Sequence, residues 1–155
     1  MQESPAFQTV DPNFEERVHD SFGRQGFMEF IGAILMEVRP GYCEIHLPFK
    51  KEIAQQHSYF HAGVIGTIAD NASGYAAYSL MPADATVLTV EYKLNLLAPG
   101  NGELLIARGQ VLKPGRTLTV CRSDISVTKN GQEKLCATAL VTLMTLAGKP
   151  DGPAE

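Results

Sequence analysis

The stretch His61-Ala-Gly-Val-Ile-Gly-Thr-Ile-Ala-Asp70-Asn-Ala-Ser-Gly-Tyr-Ala-Ala-Tyr78 decides how this chain folds. Its spacing predicts a helix from about Gly63 to Leu80. Ile65, Ile68, Ala72, Tyr75 and Ala76 fall on one face of it, and Gly63, Gly66, Thr67, Asp70, Ser73, Gly74 and Ala77 on a second. Each glycine costs a helix roughly 1 kcal/mol relative to alanine. Three of them imply that something comes close to the helix backbone: a sheet, a partner helix or a ligand.

Outside this stretch the period changes from helical to two. After Met81-Pro82, Leu88, Val90, Tyr92, Leu94 and Leu96 alternate with Thr89, Glu91, Lys93 and Asn95, the pattern of a strand with one buried face. Ala98 to Gly102 is a turn, Glu103 to Leu112 a strand, and Lys113-Pro114-Gly115-Arg116 a second turn leading into a strand over Thr117 to Thr128. Asn130-Gly131 is a hairpin signal, and a last strand runs from about Glu133 to Leu146.

Upstream, Ile31 to Val38 reads as a strand that turns at Pro40-Gly41 into a second, with Cys43, Ile45, Leu47 and Phe49 inward. Lys50 to Phe60 is a polar loop. Asp11-Pro12 opens a short helix whose stripe is Phe14, Val18 and Phe22 and which ends near Gly23. The expected fold class is therefore α+β: an antiparallel sheet of about six strands wrapped around one long helix, with a short N-terminal helix. One domain is expected over residues 1–155, with 1–10 and 148–155 flexible.

Composition narrows the function. With 45% hydrophobic and 19% charged residues among 155, the chain can bury an ordinary core. The net charge is -4 and the basic residues are scattered, which argues against nucleic acid as a partner. Met1 to Gln8 has neither the basic nor the apolar part of a secretory signal, and no apolar run is long enough to span a bilayer. Cys43, Cys121 and Cys136 are odd in number and widely spaced. They read as reduced thiols of a cytoplasmic protein, without zinc-site spacing and with little claim to be nucleophiles.

Chemistry points to the helix. Asp70 is the only acidic or basic side chain between His61 and Asp84, on a face of small residues. A carboxylate in so uncharged a helix is partly buried, and a buried carboxylate needs a reason. The loop Gln55-Gln56-His57-Ser58-Tyr59-Phe60-His61 enters the helix where the first amide groups lack intrahelical partners and can polarise a carbonyl oxygen. Gly63 lets a substrate reach its N–H. Asp70 is seven residues further on, the same side of the helix but about 10 Å along it.

The pattern His-x-Gly, six residues, Asp and Gly four later, within Gln55 to Ala77, resembles the hotdog-fold acyl-CoA thioesterases of the phenylacetate-degradation (PaaI-like) type. The resemblance continues through Thr86–Pro99 and Val111–Leu118 and covers roughly Ile31 to Leu146. It implies hydrolysis of acyl-CoA thioesters, with Asp70 as general base or nucleophile and the Gly63 N–H on the thioester carbonyl. His61 shapes the entry loop, and Thr89 helps to position water. Lys113 and Arg116 lie near the coenzyme A phosphates. It further implies a homodimer or homotetramer with sites built across an interface, so that Asp70 and Thr89 can come from different subunits. Coenzyme A enters only with the substrate; no metal or other cofactor is implied. Many relatives have asparagine where this chain has Gln55, whose amide still offers an N–H. A hotdog dehydratase or hydratase and a non-catalytic acyl-CoA-binding protein share the fold. The former needs a catalytic histidine motif not found here, and the latter is normally fused to a DNA-binding segment.

Overall fold

In the computed structural model, which describes residues 7–153, the quoted stretch forms helix α3 (Ala62–Tyr78) and packs against all six strands of one sheet. A single helix can touch six strands only if the sheet curves around it, as its inherent twist allows. Before it come α1 (Phe14–Gly23), α2 (Gly26–Ile31), β1 (Ile34–Arg39) and β2 (Tyr42–Pro48). After it come β3 (Ala85–Leu96), β4 (Leu104–Lys113), β5 (Leu118–Lys129) and β6 (Gln132–Ala147). Every pairing is antiparallel, in the spatial order β1-β2-β4-β5-β6-β3. The expected α+β architecture, one long helix in a six-stranded antiparallel sheet, is what forms.

The predicted apolar face of α3 is the buried one: Ile65, Ile68, Ala72, Tyr75 and Ala76 are all core residues, facing Ile45, Leu105, Val111, Ile125 and Val141 from the strands. Burying each aliphatic side chain of this size stabilises by roughly 1.5–3 kcal/mol. The other face divides. Ser73 and Ala77 are fully buried, leaving Gly63, Thr67, Asp70 and Gly74 as the accessible stripe.

The close approach expected of the helix glycines is made by the sheet instead. At Gly109 on β4, a Cβ atom would lie 2.3 Å from the backbone carbonyl carbon and oxygen of Ala72. Gly66 sits under the Tyr92 hydroxyl, 3.2 Å from where its Cβ would be, whereas a Cβ at Gly74 would meet open space. Turn chemistry follows the sequence. Asn130 (φ 50°) and Gly131 (φ 74°) make the β5–β6 hairpin with both residues left-handed, as a type I′ turn requires.

Two expectations are corrected. The strand predicted from Ile31 begins only at Ile34, because residues 26–31 coil into α2. Met28 and Ile31, three apart, are buried there, and Gly32 (φ 80°) ends the turn in the left-handed conformation that glycine tolerates. The even alternation read along residues 88–96 also fails. A β-bulge between Thr89 and Glu91 inserts Val90 and shifts the phase. Ala85, Val87 and Thr89 face the helix before it, and Tyr92 and Leu94 face the helix after it. Leu88 and Val90 are left more than half exposed.

Of the ends expected to be loose, residues 1–6 and 154–155 lie outside the described residues. Thr9 donates a hydrogen bond to the Ser79 carbonyl at 2.8 Å, and Asp151 is ion-paired with Arg24 at 2.6 Å. Among the described residues no helix is long and apolar enough to cross a membrane.

The Gly109–Ala72 contact yields a stability test. Gly109→Ala puts a methyl group into backbone atoms that cannot rotate aside, so the loss is expected at the upper end of overpacking penalties, about 3 kcal/mol or more. Urea denaturation of wild type and variant measures it.

Candidate active site

Asp70 stands midway along α3, half-buried, and is the only charged residue of that helix. Thr89 reaches it from β3: its hydroxyl donates to Asp70 Oδ1 at 2.7 Å. The bulge at Val90 makes this possible, since unbroken alternation with Tyr92 and Leu94 would turn Thr89 to the other face of the sheet. The two residues therefore meet within one chain and do not need different subunits.

Burial pushes the Asp70 carboxyl above the usual carboxylate range, and the hydrogen bond from Thr89 works against that shift by favouring the ionised form. A base of raised pKa accepts a proton more readily, and among the described residues none hydrogen-bonds the second carboxylate oxygen, which faces a water or a substrate atom in the proposed chemistry.

Asp70 and Thr89 border a cavity of about 320 Å³ between α1, α3 and β3, at the small end of the range for ligand sites. Asn71, Gly74, Val87 and Leu88 line it, and α1 and the turn after it bring Arg24 and Gln25. Gln25 Nε2 donates to Asn71 Oδ1 at 3.0 Å and to the Tyr75 hydroxyl at 2.6 Å. Sequence reasoning passed over Gln25 and Asn71. Asn71 was visible as the neighbour of Asp70. Gln25 had no signal, because only the packing of the N-terminal helices onto α3 brings it there.

The helix entrance is a separate place. Gly63 is exposed, and its N–H donates to His61 Nδ1 at 2.8 Å, so the imidazole caps the helix it precedes. Gln55, Tyr59, His61, Ala62 and Leu96 line a second cavity of about 600 Å³ that excludes Asp70. Gln55 Oε1 accepts from the His57 N–H at 2.6 Å, which leaves its amide N–H groups available. One chain thus brings Asp70 and Thr89 together, and Gln55 and His61 together at the start of α3, without joining the pairs.

Lys113 and Arg116 flank the β4–β5 turn, exposed and outside both cavities. Thr119, three residues past Arg116, pairs with Leu143, which pairs with Thr89, so the turn lies near that level of the sheet. The three thiols are free and buried. Burial pushes Cys121 up to about 12 and Cys136 to about 11, and raises Cys43 further, away from any nucleophilic role. No group of three or more metal-ligating side chains occurs among the described residues.

Comparison with known proteins bears on this arrangement. The family model described as the thioesterase superfamily matches residues 57–134. A solved thioesterase family protein from Silicibacter pomeroyi is 44% identical and superposes with a TM-score of 0.86, covering 87% of this chain and 99% of that one. The 1,4-dihydroxy-2-naphthoyl-CoA hydrolase of Listeria monocytogenes is 26% identical over 111 residues, 72% of this chain and 89% of that protein. The E. coli PaaI protein from the phenylacetic acid degradation operon shares the fold, with a TM-score of 0.79 at 20% identity over 88% of this chain and 96% of that one.

The raised pKa of Asp70 has a consequence for stability. A carboxyl whose folded pKa exceeds its unfolded value binds more protons when folded, so stability falls as pH rises between the two values. At neutral pH the ionised Asp70 is therefore a liability. Asp70→Asn is expected to raise Tm there, with the gain shrinking as pH falls through the carboxyl's range; thermal melts across that range measure it.

Proposed function

The chain belongs to the thioesterase superfamily, and from that premise we propose that it hydrolyses acyl-CoA thioesters to the free acid and coenzyme A. The observation that carries the reading is the half-buried Asp70 carboxylate, of raised pKa, hydrogen-bonded by Thr89 at the edge of a cavity. In the proposed reaction Asp70 takes a proton from water as the water oxygen bonds to the thioester carbon. The oxyanion so formed accepts from the Gly63 N–H, taking the place that His61 Nδ1 holds in the resting chain. The C–S bond then breaks, and Asp70 returns its proton to the leaving thiolate. Attack by Asp70 itself, through an anhydride that water opens, gives the same products.

Asp70 and Gly63 stand about two helical turns apart, and the cavity that Asp70 borders is not the one lined by Gln55 and His61. We assign the complete site to two copies of the chain in a homodimer or homotetramer. Asp70 and Thr89 of one copy then face Gly63, Gln55 and His61 of the other. In support, β3 is an edge strand with Leu88, Val90, Tyr92 and Leu96 about half exposed, a surface that another chain can cover. Lys113 and Arg116 are assigned to the coenzyme A phosphates on the strength of their charge and exposure.

Release of free thiol from a panel of acyl-CoA esters tests the reading. Turnover of at least one ester is expected, with kcat falling at least ~100-fold in Asp70→Asn, as for loss of a general base. Binding without turnover across the panel identifies an acyl-CoA-binding protein instead, and hydration of enoyl-CoA a hydratase. Thr89→Val removes the bond that lowers the Asp70 pKa, so the acid limb of the kcat/KM profile is expected to move to higher pH.

A further inference from the structure

The cavity beside Asp70 ends at a contact that the catalytic reading leaves unexplained. Asp151, beyond the end of β6, accepts from Arg24 Nη2 through Oδ2 at 2.6 Å and from the Thr86 hydroxyl through Oδ1 at 2.8 Å. Arg24 is itself held by Asp20, whose Oδ2 accepts from Nε at 3.1 Å. The C-terminal segment is thereby tied between the N-terminal helices and the start of β3. Thr86, which holds Asp151, and Thr89, which holds Asp70, are three residues apart on one strand. The tie therefore lies about 10 Å from the reacting carboxylate.

Arg24, Asp151 and Gly152 all line the Asp70 cavity. Behind the tie lies another cavity, of about 670 Å³, whose walls include Leu146, Pro150 and Pro153 and which shares Val87, Leu88, Asp151 and Gly152 with the first. The two hollows differ in chemistry. The near one carries Gln25, Asn71 and Ser21, and the far one is mainly apolar. Asp151 and Gly152 border both, together with Val87 and Leu88 of β3.

We infer that Asp151, clamped by Arg24 and Thr86, is the end wall of the acyl cavity and restricts the enzyme to short acyl groups by closing off the apolar hollow behind it. This rests on the reading of the Asp70 cavity as the place where the acyl group lies. The wall is thin. Its ion pair is partly exposed, 45% for Arg24 and 28% for Asp151, and such pairs contribute little to stability. Removing one partner opens the partition without dismantling the core. A longer acyl chain then passes along Val87 and Leu88 into the apolar hollow, where each newly buried methylene strengthens binding about fourfold.

The test is kcat/KM for straight-chain acyl-CoA esters from acetyl to palmitoyl, with dissociation constants for the matching S-alkyl-CoA thioethers, which cannot be hydrolysed. Wild type is expected to favour the short members. In Asp151→Ala, and independently in Arg24→Ala, the decanoyl-to-butyryl ratio is expected to rise at least ~10-fold in both measurements. The exchanged pair Arg24→Asp with Asp151→Arg is expected to bring the ratio back towards wild type. Unchanged ratios in both single variants, with melts showing them folded, overturn the inference, as does a wild type that already prefers decanoyl. Should the wild type hydrolyse no ester, the hydrolase reading fails, and the thioether affinities alone decide the wall: a length preference that shifts in the variants upholds it, and none overturns it.

Discussion

The contact on which the rest of the molecule depends is the one between Gly109 of β4 and the backbone of α3 at Ala72. With no side chain on the strand and only a methyl on the helix, the two backbones meet more closely than any larger pair would allow. The sheet can then wrap the helix, so that strands as far apart as β1 and β3 both touch it. That close fit seals Ile68, Ala69, Ala72 and Ala76 completely from solvent. It leaves the opposite stripe of the helix, with Asp70 and Gly74, beside β3 and the N-terminal helices. The sheet sets the helix's position, and the helix's position sets where the carboxylate can be.

Two opposing effects then govern Asp70. Burial in a helix otherwise without charge disfavours its ionised form, and the Thr89 hydroxyl favours it. The balance leaves the carboxyl shifted upward, which costs stability at neutral pH and suits a proton acceptor. Gly74, one turn beyond Asp70, has nothing within reach of a Cβ and keeps the space beside the carboxylate open. Its conformational cost in the helix is offset by access.

At the other end of the helix the imidazole of His61 and the N–H of Gly63 satisfy each other. A helix start exposed to water needs such a cap, so the same groups that a substrate carbonyl would approach first stabilise the free chain. The exposed apolar residues of β3 and the separation of the Asp70 cavity from the Gln55 cavity are the two observations on which the proposed two-chain site rests.

Much of this was legible in the sequence because it depends on local periodicity. The apolar face of α3, the Asn130-Gly131 hairpin, the antiparallel strands and Asp70 as a lone carboxylate are each written in spacing that a reader can count. The hidden parts depend on register and on contacts between distant segments. Residues 26–31 carry an apolar run that suits strand or helix, and packing of Met28 and Ile31 decides it. The bulge at Val90 leaves no mark in the alternation of residues 88–96, yet it turns Thr89 towards Asp70. Gln25 and Asp151 come to the cavity from opposite ends of the chain. By itself, then, the sequence determined the helix, the sheet and the lone carboxylate of that helix, because each rests on neighbours a few positions apart. Only the tertiary structure decided what surrounds Asp70, because a one-residue shift in strand register, invisible to periodicity, exchanges the face on which every later side chain lies.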